Sequence, residues 1–394
     1  MTDLLRFAFK WVFRTPWTAR RLLVAAAFFL IFPLFELVVW TGLWWDEILF
    51  PGYRRRRVEA PVFIAGNPRS GTTFLHRLLS KDRRFTTMKM WEILFAPSVF
   101  ARKVLGSLGR LDRLLGRPLT RRREQVEDVW HEQNVMHEVS LDEPEEDDYL
   151  LLHTWSALTT GLSSGVISEA LPYTYFDVRI PRPRRDRIME FYRACLKRHL
   201  YAHGAHRGEP GHVYLAKNPA LCPKLETVYE HFPDARVIYL VRNPLEMLSS
   251  YVSMMEFSWR AVGMPVTGKS RRRLLAYLFE MAGHWYRHAL EVLDRMPETQ
   301  AVVVRYDDLV AAPDRTVRSI YEQLGLTVDT EFAEVLRREA EKARHYESRH
   351  DYGLEELGLS RERIESEFAD VFERFGFDSS RATSGGNPQT TTTP

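Results

Sequence analysis

The sequence is short of cysteine and of net charge. Its 394 residues include only two cysteines, Cys195 and Cys222, and neither belongs to a CxxC pair. This excludes the usual zinc and dithiol motifs as well as a disulfide framework, and it favours a reducing compartment. The net charge of +3 is too small to indicate a nucleic-acid-binding protein, because such proteins concentrate positive charge against phosphates. Length and composition fit one large α/β domain with additional segments.

A long apolar run sets the first 57 residues apart from the rest. Between Leu22 and Trp45 the only charged residue is Glu36, and Pro33 interrupts the run. The run is long enough to cross a bilayer, but Glu36 would be costly at mid-membrane and Pro33 would kink a helix. Residues 4–17 interleave aromatic and basic side chains, as interfacial helices do. We predict that 1–57 associates with a membrane, by a kinked, shallow insertion in the first place and by a full span as the other form. A helical hairpin packed on the protein's own domain is the alternative.

Short apolar runs that alternate with helical spacing predict an α/β fold. Each run is rich in β-branched residues and bounded by turn residues, which favours buried parallel strands. The expected strands are 61–66, 213–216, 236–241 and 301–305, and the expected helices are 74–79, 222–231 and 245–255. Such alternation predicts a parallel sheet flanked by helices, like that of P-loop nucleoside triphosphatases. The predicted domain covers 58–378, with a mostly helical insertion at about 101–210 and a disordered tail at 379–394.

A glycine-rich loop lies between the first expected strand and its helix. Gly66 to Thr73 reads GNPRSGTT, and this spacing is typical of a loop that binds an anion before a helix N-terminus. Thr72 stands where a nucleoside triphosphatase has its phosphate-binding lysine. The substitution argues against ATP or GTP hydrolysis, and Arg69 supplies a cation from within the loop. A nucleotide kinase or NTPase, or an inert nucleotide-binding membrane scaffold, are the alternative functions.

A second candidate anion site follows the expected strand at 236–241. Arg242 comes at the strand end, and Pro244 suits the first turn of a helix. Ser250 lies two helical turns further on, so that Arg242 and Ser250 can converge on one phosphate. From the residues alone, an arginine on the surface at a strand end is an equally good interpretation.

These two segments resemble the PAPS-dependent sulfotransferases of prokaryotic type. PRSGTT at 68–73 is similar to the family's 5′-phosphosulfate loop, in the arginine form that tyrosylprotein sulfotransferases also have, and the segment 242–250 resembles its 3′-phosphate site. Residues 304–309 resemble the segment whose tyrosine packs near the adenine. DEPEED at 142–147 is also common in prokaryotic members. The resemblance runs from 61 to about 313.

The resemblance implies that a sulfuryl group passes from 3′-phosphoadenosine 5′-phosphosulfate (PAPS) to an acceptor hydroxyl. The product of the donor is then 3′-phosphoadenosine 5′-phosphate (PAP), and no metal is required. By the same resemblance the donor is bound by Arg69, Ser70, Gly71, Thr72, Thr73, Arg242, Ser250 and Tyr306.

Sulfuryl transfer needs a base for the acceptor hydroxyl and cations for the charge that develops on the leaving group. Arg69 and Lys217 are the candidate cations, and Lys217 resembles the lysine of the family's Lys-x-Pro segment. Two candidates for the base stay open. Glu92 resembles in position the glutamate of tyrosylprotein sulfotransferases, and burial is expected to raise its pKa. His137 is the rival, because cytosolic sulfotransferases use histidine. The acidic run 142–148 is expected to form a solvated loop or a helix start, not a metal site.

The apolar N-terminus suggests how the acceptor reaches the enzyme. We expect the acceptor to be a lipid or another amphiphilic alcohol, and the partners to be PAPS, this acceptor and a membrane surface, without nucleic acid. PAPS is made in the cytosol, so the catalytic domain is expected to be cytoplasmic.

Overall fold

A five-stranded sheet forms the centre of the protein. The computed structural model describes residues 2–13, 17–118, 120–122, 141–204, 210–343 and 360–377. In the sheet the strand order is β2-β3-β1-β4-β5, and every pairing is parallel. The strands are β1 Val62–Gly66, β2 Phe85–Thr86, β3 Val213–Lys217, β4 Arg236–Val241 and β5 Ala301–Arg305.

Helices cover both faces of the sheet. Side chains alternate along β1, so that Phe63 and Ala65 join one apolar core while Val62 and Ile64 join the other. The α-helices are α1 Thr2–Phe13, α2 Ala19–Leu49, α3 Thr72–Leu79, α4 Met90–Leu94, α5 Val99–Leu114, α6 Leu158–Ser163, α7 Ile167–Thr174, α8 Phe176–Arg179, α9 Arg182–His203, α10 Leu225–His231, α11 Pro244–Ala261, α12 Gly268–Leu293, α13 Tyr306–Ala311, α14 Pro313–Gln323, α15 Thr330–Ala343, α16 Arg361–Glu367 and α17 Ala369–Phe375. Three 3₁₀ helices occupy Pro51–Arg55, Asp147–Thr154 and Pro219–Lys224.

The predicted α/β fold with a helix-flanked parallel sheet and an N-terminal apolar helix is confirmed. The four expected strands are present, and the described part of 101–210 is mainly helical. Two details differ from the prediction. Strand β2 was not expected, and the helix expected over 222–231 begins as a 3₁₀ helix because Pro219 and Pro223 remove backbone donors there. The tail at 379–394 lies outside the described residues.

Helix α2 is long and apolar enough to cross a membrane, and it is the one described helix that is. It nevertheless lies against the rest of the protein along its length. The side chains that it buries recur at helical spacing: Arg21, Ala25, Phe32, Val39, Leu43 and Asp46. Both Glu36 and Asp46 also face the protein, since Glu36 Oε1 lies 2.9 Å from His153 Nδ1 and Asp46 accepts a 2.9 Å hydrogen bond from Arg198 Nε.

Helix α1 packs beside α2 to complete this N-terminal unit. Phe7 and Trp11 are buried against Phe28 of α2, and Phe7 also contacts Trp155 of the main body, with ring centres 5.5 Å apart. The first helices therefore form a hairpin that packs on the protein's own domain, which was the alternative considered from the sequence.

Candidate active site

The loop between β1 and α3 has the geometry of an anion-binding loop. Gly71 adopts a left-handed φ of 86° immediately before α3, and a Cβ there would lie 2.6 Å from Cδ2 of Tyr306. The first backbone N–H groups of α3 have no carbonyl partner one turn earlier, so they face the loop. Ser70 is fully buried, and its hydroxyl makes no hydrogen bond to the residues that the structure describes. This arrangement fits an anion held by the loop.

The structure brings the second predicted anion site directly against this loop. Arg242 follows β4, next to β1, and its NH1 donates a 2.8 Å hydrogen bond to the backbone oxygen of Arg69. The Arg69 Nε in turn donates to Ser250 Oγ on α11 at 2.9 Å. Tyr306 lies between the two sites, since the Arg242 guanidinium stacks over its ring at 4.3 Å while Gly71 contacts the ring edge. Arg69, Arg242, Ser250 and Tyr306 thus form one cluster.

A carboxylate also contacts this cluster. Glu246 is one turn after Arg242, and its Oε2 accepts hydrogen bonds from Arg242 Nε at 3.1 Å and NH2 at 3.0 Å. Both side chains remain partly accessible. An anion that binds Arg242 must therefore compete with Glu246 for the same guanidinium.

Lys217 ends β3 and is almost completely buried. Its Nζ donates to Glu145 Oε1 at 3.0 Å and to Glu146 Oε1 at 2.9 Å. Burial by itself would lower the pKa of Lys217, but the carboxylates of Glu146 and Glu145 outweigh it, so the pKa lies above its ordinary value. Lys217 therefore keeps its positive charge at any working pH. It lies beside β1, because Lys217 pairs with Ile64, two residues before that strand ends.

The acidic run 142–148 divides its carboxylates among different partners. Glu145 and Glu146 contact Lys217, whereas Asp147 accepts 3.0 Å hydrogen bonds from Asn218 Nδ2 and Tyr214 OH. Asp147 and Asp148 are buried and begin a 3₁₀ helix, which is one of the two forms expected from the sequence, whereas Asp142 and Glu143 before them are exposed. Each buried acid finds a specific donor, which the run of like charges in the sequence does not reveal.

Glu146 has the electrostatics of a carboxyl that can exchange a proton. Burial raises its pKa first of all; Lys217 lowers it, and Glu145 raises it again by like-charge repulsion. The pKa of Glu146 therefore lies above the ordinary glutamate value. Sequence reasoning did not single out Glu145 or Glu146, because their contact with Lys217 joins segments about seventy residues apart.

Glu92 lies in a buried ion pair. Its Oε1 accepts a 2.7 Å hydrogen bond from Arg102 NH1, and its Oε2 accepts one from the backbone N–H of Lys89 at 2.9 Å. Burial alone would raise the pKa of Glu92, but His203, Arg102 and His199 together lower it to about 2. The raised pKa expected from the sequence is therefore wrong.

The same cluster contains a geometric grouping of possible metal ligands. Ligand atoms of Glu92, His199 and His203 all lie within 4.8 Å of one another. However, Arg102 NH1 is 2.7 Å from Glu92 Oε1 and 2.8 Å from His199 Nδ1. The guanidinium takes the position that a cation would need, so these residues form an arginine-centred network. His137, the other candidate base, lies outside the described residues.

The chain is similar to known proteins over most of its length. Residues 61–330 match the model of the Sulfotransferase family. The omega-hydroxy-beta-dihydromenaquinone-9 sulfotransferases Stf3 of Mycobacterium bovis and Mycobacterium tuberculosis are each 26% identical over 350 residues, covering 85% of this chain and 80% of the relative. The crystal structure of sulfotransferase STF1 from Mycobacterium tuberculosis has a TM-score of 0.69 and 21% identity, covering 93% of this chain and 92% of that one. Sulfotransferase STF9 from Mycobacterium avium has a TM-score of 0.65 and 18% identity, covering 86% and 82%. These two structures show the same fold, and the family match covers well over half of the sequence: the chain belongs to the sulfotransferase family.

Proposed function

We propose that the protein transfers the sulfuryl group of PAPS to the hydroxyl of a lipid-like alcohol. The observation that carries the proposal is the direct linkage of two anion sites, in which Arg69 contacts Ser250 and Arg242 contacts the backbone of Arg69. A 3′-phosphate distinguishes PAPS from ATP. A nucleotide that fills both sites must carry an anion at its 5′ end and a second one at its ribose.

In this proposal the 68–73 loop and Arg69 bind the 5′-phosphosulfate, and Arg242 with Ser250 binds the 3′-phosphate. The buried hydroxyl of Ser70 and the start of α3 supply neutral donors. Tyr306 packs near the adenine, as its place beside Arg242 allows. No step of the reaction calls for a metal ion.

We propose Glu146 as the base, while Glu92 and His137 stay predictions from the sequence. Glu146 removes the proton of the acceptor hydroxyl as the acceptor oxygen attacks sulfur. The bond from sulfur to the 5′-phosphate oxygen breaks, and that oxygen leaves on PAP with the electron pair. Arg69 and Lys217 stabilise the charge that develops there. The raised pKa of Glu146 and its contact with Lys217 support this assignment.

A lipid-like acceptor is supported by the link between the segment after the proposed base and the apolar helix α2. The 3₁₀ helix that follows Glu146 carries His153, which contacts Glu36 of the apolar helix α2 and the backbone of Ile93 in α4. The relatives named Stf3 act, by their name, on a hydroxylated dihydromenaquinone. We propose that this enzyme works at a membrane surface with its catalytic domain in the cytoplasm.

Calorimetry with PAP and AMP tests the donor. We expect PAP to bind more tightly than AMP, and Arg242→Ala to weaken PAP binding by roughly tenfold to a hundredfold, because one charge-assisted contact to the 3′-phosphate is lost. AMP binding should weaken much less, since AMP lacks that phosphate and is affected only through the lost contact of Arg242 with the backbone of Arg69. AMP that binds the parent protein as tightly as PAP does would contradict the assignment of Arg242 and Ser250.

Glu246→Gln should have the opposite effect on PAP. The substitution removes the carboxylate that competes for the Arg242 guanidinium, so we expect PAP to bind roughly threefold to tenfold more tightly. AMP again serves as the control and should show no gain. Weaker PAP binding would mean that Glu246 is needed to orient Arg242.

A further inference from the structure

Helix α2 has its polar and apolar faces reversed relative to a helix on a water-soluble protein. Four of its five charged residues, Arg21, Glu36, Asp46 and Glu47, are turned toward the protein, and only Arg20 at its start is exposed. A surface helix normally turns such residues outward. The outward face consists of large apolar side chains, with exposed fractions of 38% to 73%. These are Leu22, Leu23, Leu30, Ile31, Leu34, Leu37, Val38, Trp40, Trp44, Ile48 and Leu49. An exposed apolar surface of this extent marks contact with another apolar phase.

Helix α5 carries a second exposed apolar stripe, which nothing in the proposed reaction uses. Val104, Leu108 and Leu111 recur at intervals of four and three residues, so they lie on one side of the helix, and exposed Leu115 follows at the residue where the helix ends. Leu114, beside the stripe, is 84% exposed. The distal half of α5 extends away from the described body, because a Cβ at Gly106 or Gly109 would meet no atom within 4 Å.

Cations accompany this stripe on α5. Lys103, Arg110 and Arg113 are exposed, and helical geometry places them on the sides of the helix away from Val104 and Leu108. A helix with an apolar stripe and a basic polar face is typical of binding to an anionic bilayer surface, where apolar side chains enter the acyl region and long cationic side chains reach the headgroups.

The start of α5 is fixed rigidly to α2. Asp46 of α2 accepts the backbone N–H groups of both Val99 and Phe100, at 2.9 Å and 2.8 Å. Trp45 stacks on Phe100 with ring centres 6.0 Å apart. A Cβ at Gly42 would come within 2.7 Å of Ser98 Oγ, which shows how closely the two helices approach. The two apolar surfaces therefore belong to one rigid unit.

We propose that α5 is a second membrane-docking element which, together with the outer face of α2, seats the enzyme on one leaflet of an anionic bilayer without crossing it. Polar contacts with the main body hold α2 at three places. Thr18 donates to the backbone oxygen of Gly263 near its start, Glu36 contacts His153 in its middle, and Asp46 accepts a hydrogen bond from Arg198 near its end. If α2 spanned the bilayer, these polar partners would lie within the hydrocarbon core, and burying polar groups there costs free energy. The inference rests on the proposed function in one respect: a lipid acceptor explains why the enzyme binds a membrane.

Flotation with vesicles tests α5. The double substitution Leu108→Glu with Leu111→Glu should weaken binding to phosphatidylcholine vesicles containing phosphatidylglycerol by roughly tenfold or more, because two buried leucines become charged. The matched control is Gly106→Glu with Gly109→Glu, which adds the same charge on the side of α5 that carries Arg110 and Arg113 and leaves the apolar stripe intact. We expect this control to lose clearly less vesicle binding than the leucine variant, because it affects the charge contribution alone. Pure phosphatidylcholine vesicles should bind the parent protein less well than the anionic ones.

Other outcomes overturn the inference. Equal losses of vesicle binding in the two double variants would mean that binding depends on the net charge of α5 and not on its apolar stripe. If the leucine substitutions change the oligomeric state or lower the thermal midpoint while vesicle binding is kept, the stripe is covered by protein instead of lipid.

Turnover of a water-soluble alcohol separates the docking proposal from the proposed function. A protein that binds vesicles without sulfating any alcohol contradicts the proposed function alone, and one that sulfates the alcohol without binding vesicles contradicts the docking alone.

The depth of α2 tests whether it lies in the plane of the membrane. Cys195 and Cys222 are buried, so a fluorophore can be attached selectively at Leu23→Cys, Leu34→Cys or Ile48→Cys. Helical geometry places these three exposed positions on one side of α2. Quenchers at defined depths in the lipid should find the three probes at similar depth. A probe at 34 that is much deeper than those at 23 and 48 would indicate a spanning helix and overturn the inference.

Discussion

Glu146→Gln should lower kcat by roughly two to four orders of magnitude while PAP binds about as before. The amide keeps the size of the side chain and can still contact Lys217, but it cannot accept the proton of the acceptor hydroxyl. Lys217 also contacts Glu145, so the lysine retains a charged partner in the variant. Steady-state kinetics with PAPS and an alcohol acceptor, together with calorimetry for PAP, measures the two effects separately.

Two neighbouring acids serve as controls for Glu146. Glu143→Gln removes an exposed carboxylate from the same segment and should leave kcat nearly unchanged. Glu145→Gln removes the other contact of Lys217 and should reduce kcat less than Glu146→Gln does, because Glu145 orients the lysine in this proposal. A larger loss in Glu145→Gln would exchange the roles of the two acids. Normal turnover of Glu146→Gln would return the base to Glu92 or His137.

The pH dependence of kcat separates Glu146 from Glu92 without any substitution. A base acts in its deprotonated form, so kcat should rise as the pH increases through the pKa of the base. The pKa of Glu146 lies above the ordinary glutamate value, so its limb should appear on the acid side of the profile, at a higher pH than that of an ordinary glutamate. Glu92, with a pKa of about 2, would already be deprotonated at every practical pH and would produce no such limb.

Local sequence was sufficient where a feature depends on neighbouring residues. The strands β1, β4 and β5 are largely apolar runs that contain several β-branched residues, and they agree with the prediction to within a residue. The linked cluster of Arg69, Arg242 and Ser250 also follows from short motifs, because both segments end adjacent parallel strands. Strand β2 was missed because two residues, Phe85–Thr86, are too few to show a period.

The parts that the sequence did not predict depend on contacts between distant segments. Glu145 and Glu146 look like part of a solvated acidic run until the fold places Lys217 beside them. For the same reason, an isolated Glu92 next to Trp91 and Ile93 suggests desolvation and a raised pKa. The buried guanidinium of Arg102 and the histidines of α9 reverse that expectation, and neither is adjacent to Glu92 in the sequence.

Glu92→Gln should destabilise the protein by about 3 to 5 kcal/mol, because it leaves the buried Arg102 without its carboxylate. Urea unfolding should show a lower midpoint with an unchanged slope. The pH dependence has a definite sign. The pKa of Glu92 is lowered from 4.5 to about 2, so its contribution is complete above about pH 4.5 and disappears as the pH falls towards 2.

Two comparisons make the prediction on Glu92 specific. Glu331→Gln removes a carboxylate from an exposed pair with Arg83 and should cost less than about 1 kcal/mol. Combining Glu92→Gln with Arg102→Gln also removes the guanidinium that the single variant leaves without its carboxylate. The double variant should therefore lose less stability than the sum of the losses in the two single variants. If Glu92 were the base, Glu92→Gln would instead keep the urea midpoint and lose kcat by orders of magnitude. A stable, inactive Glu92→Gln protein would thus reject the structural role and assign the proton transfer to Glu92.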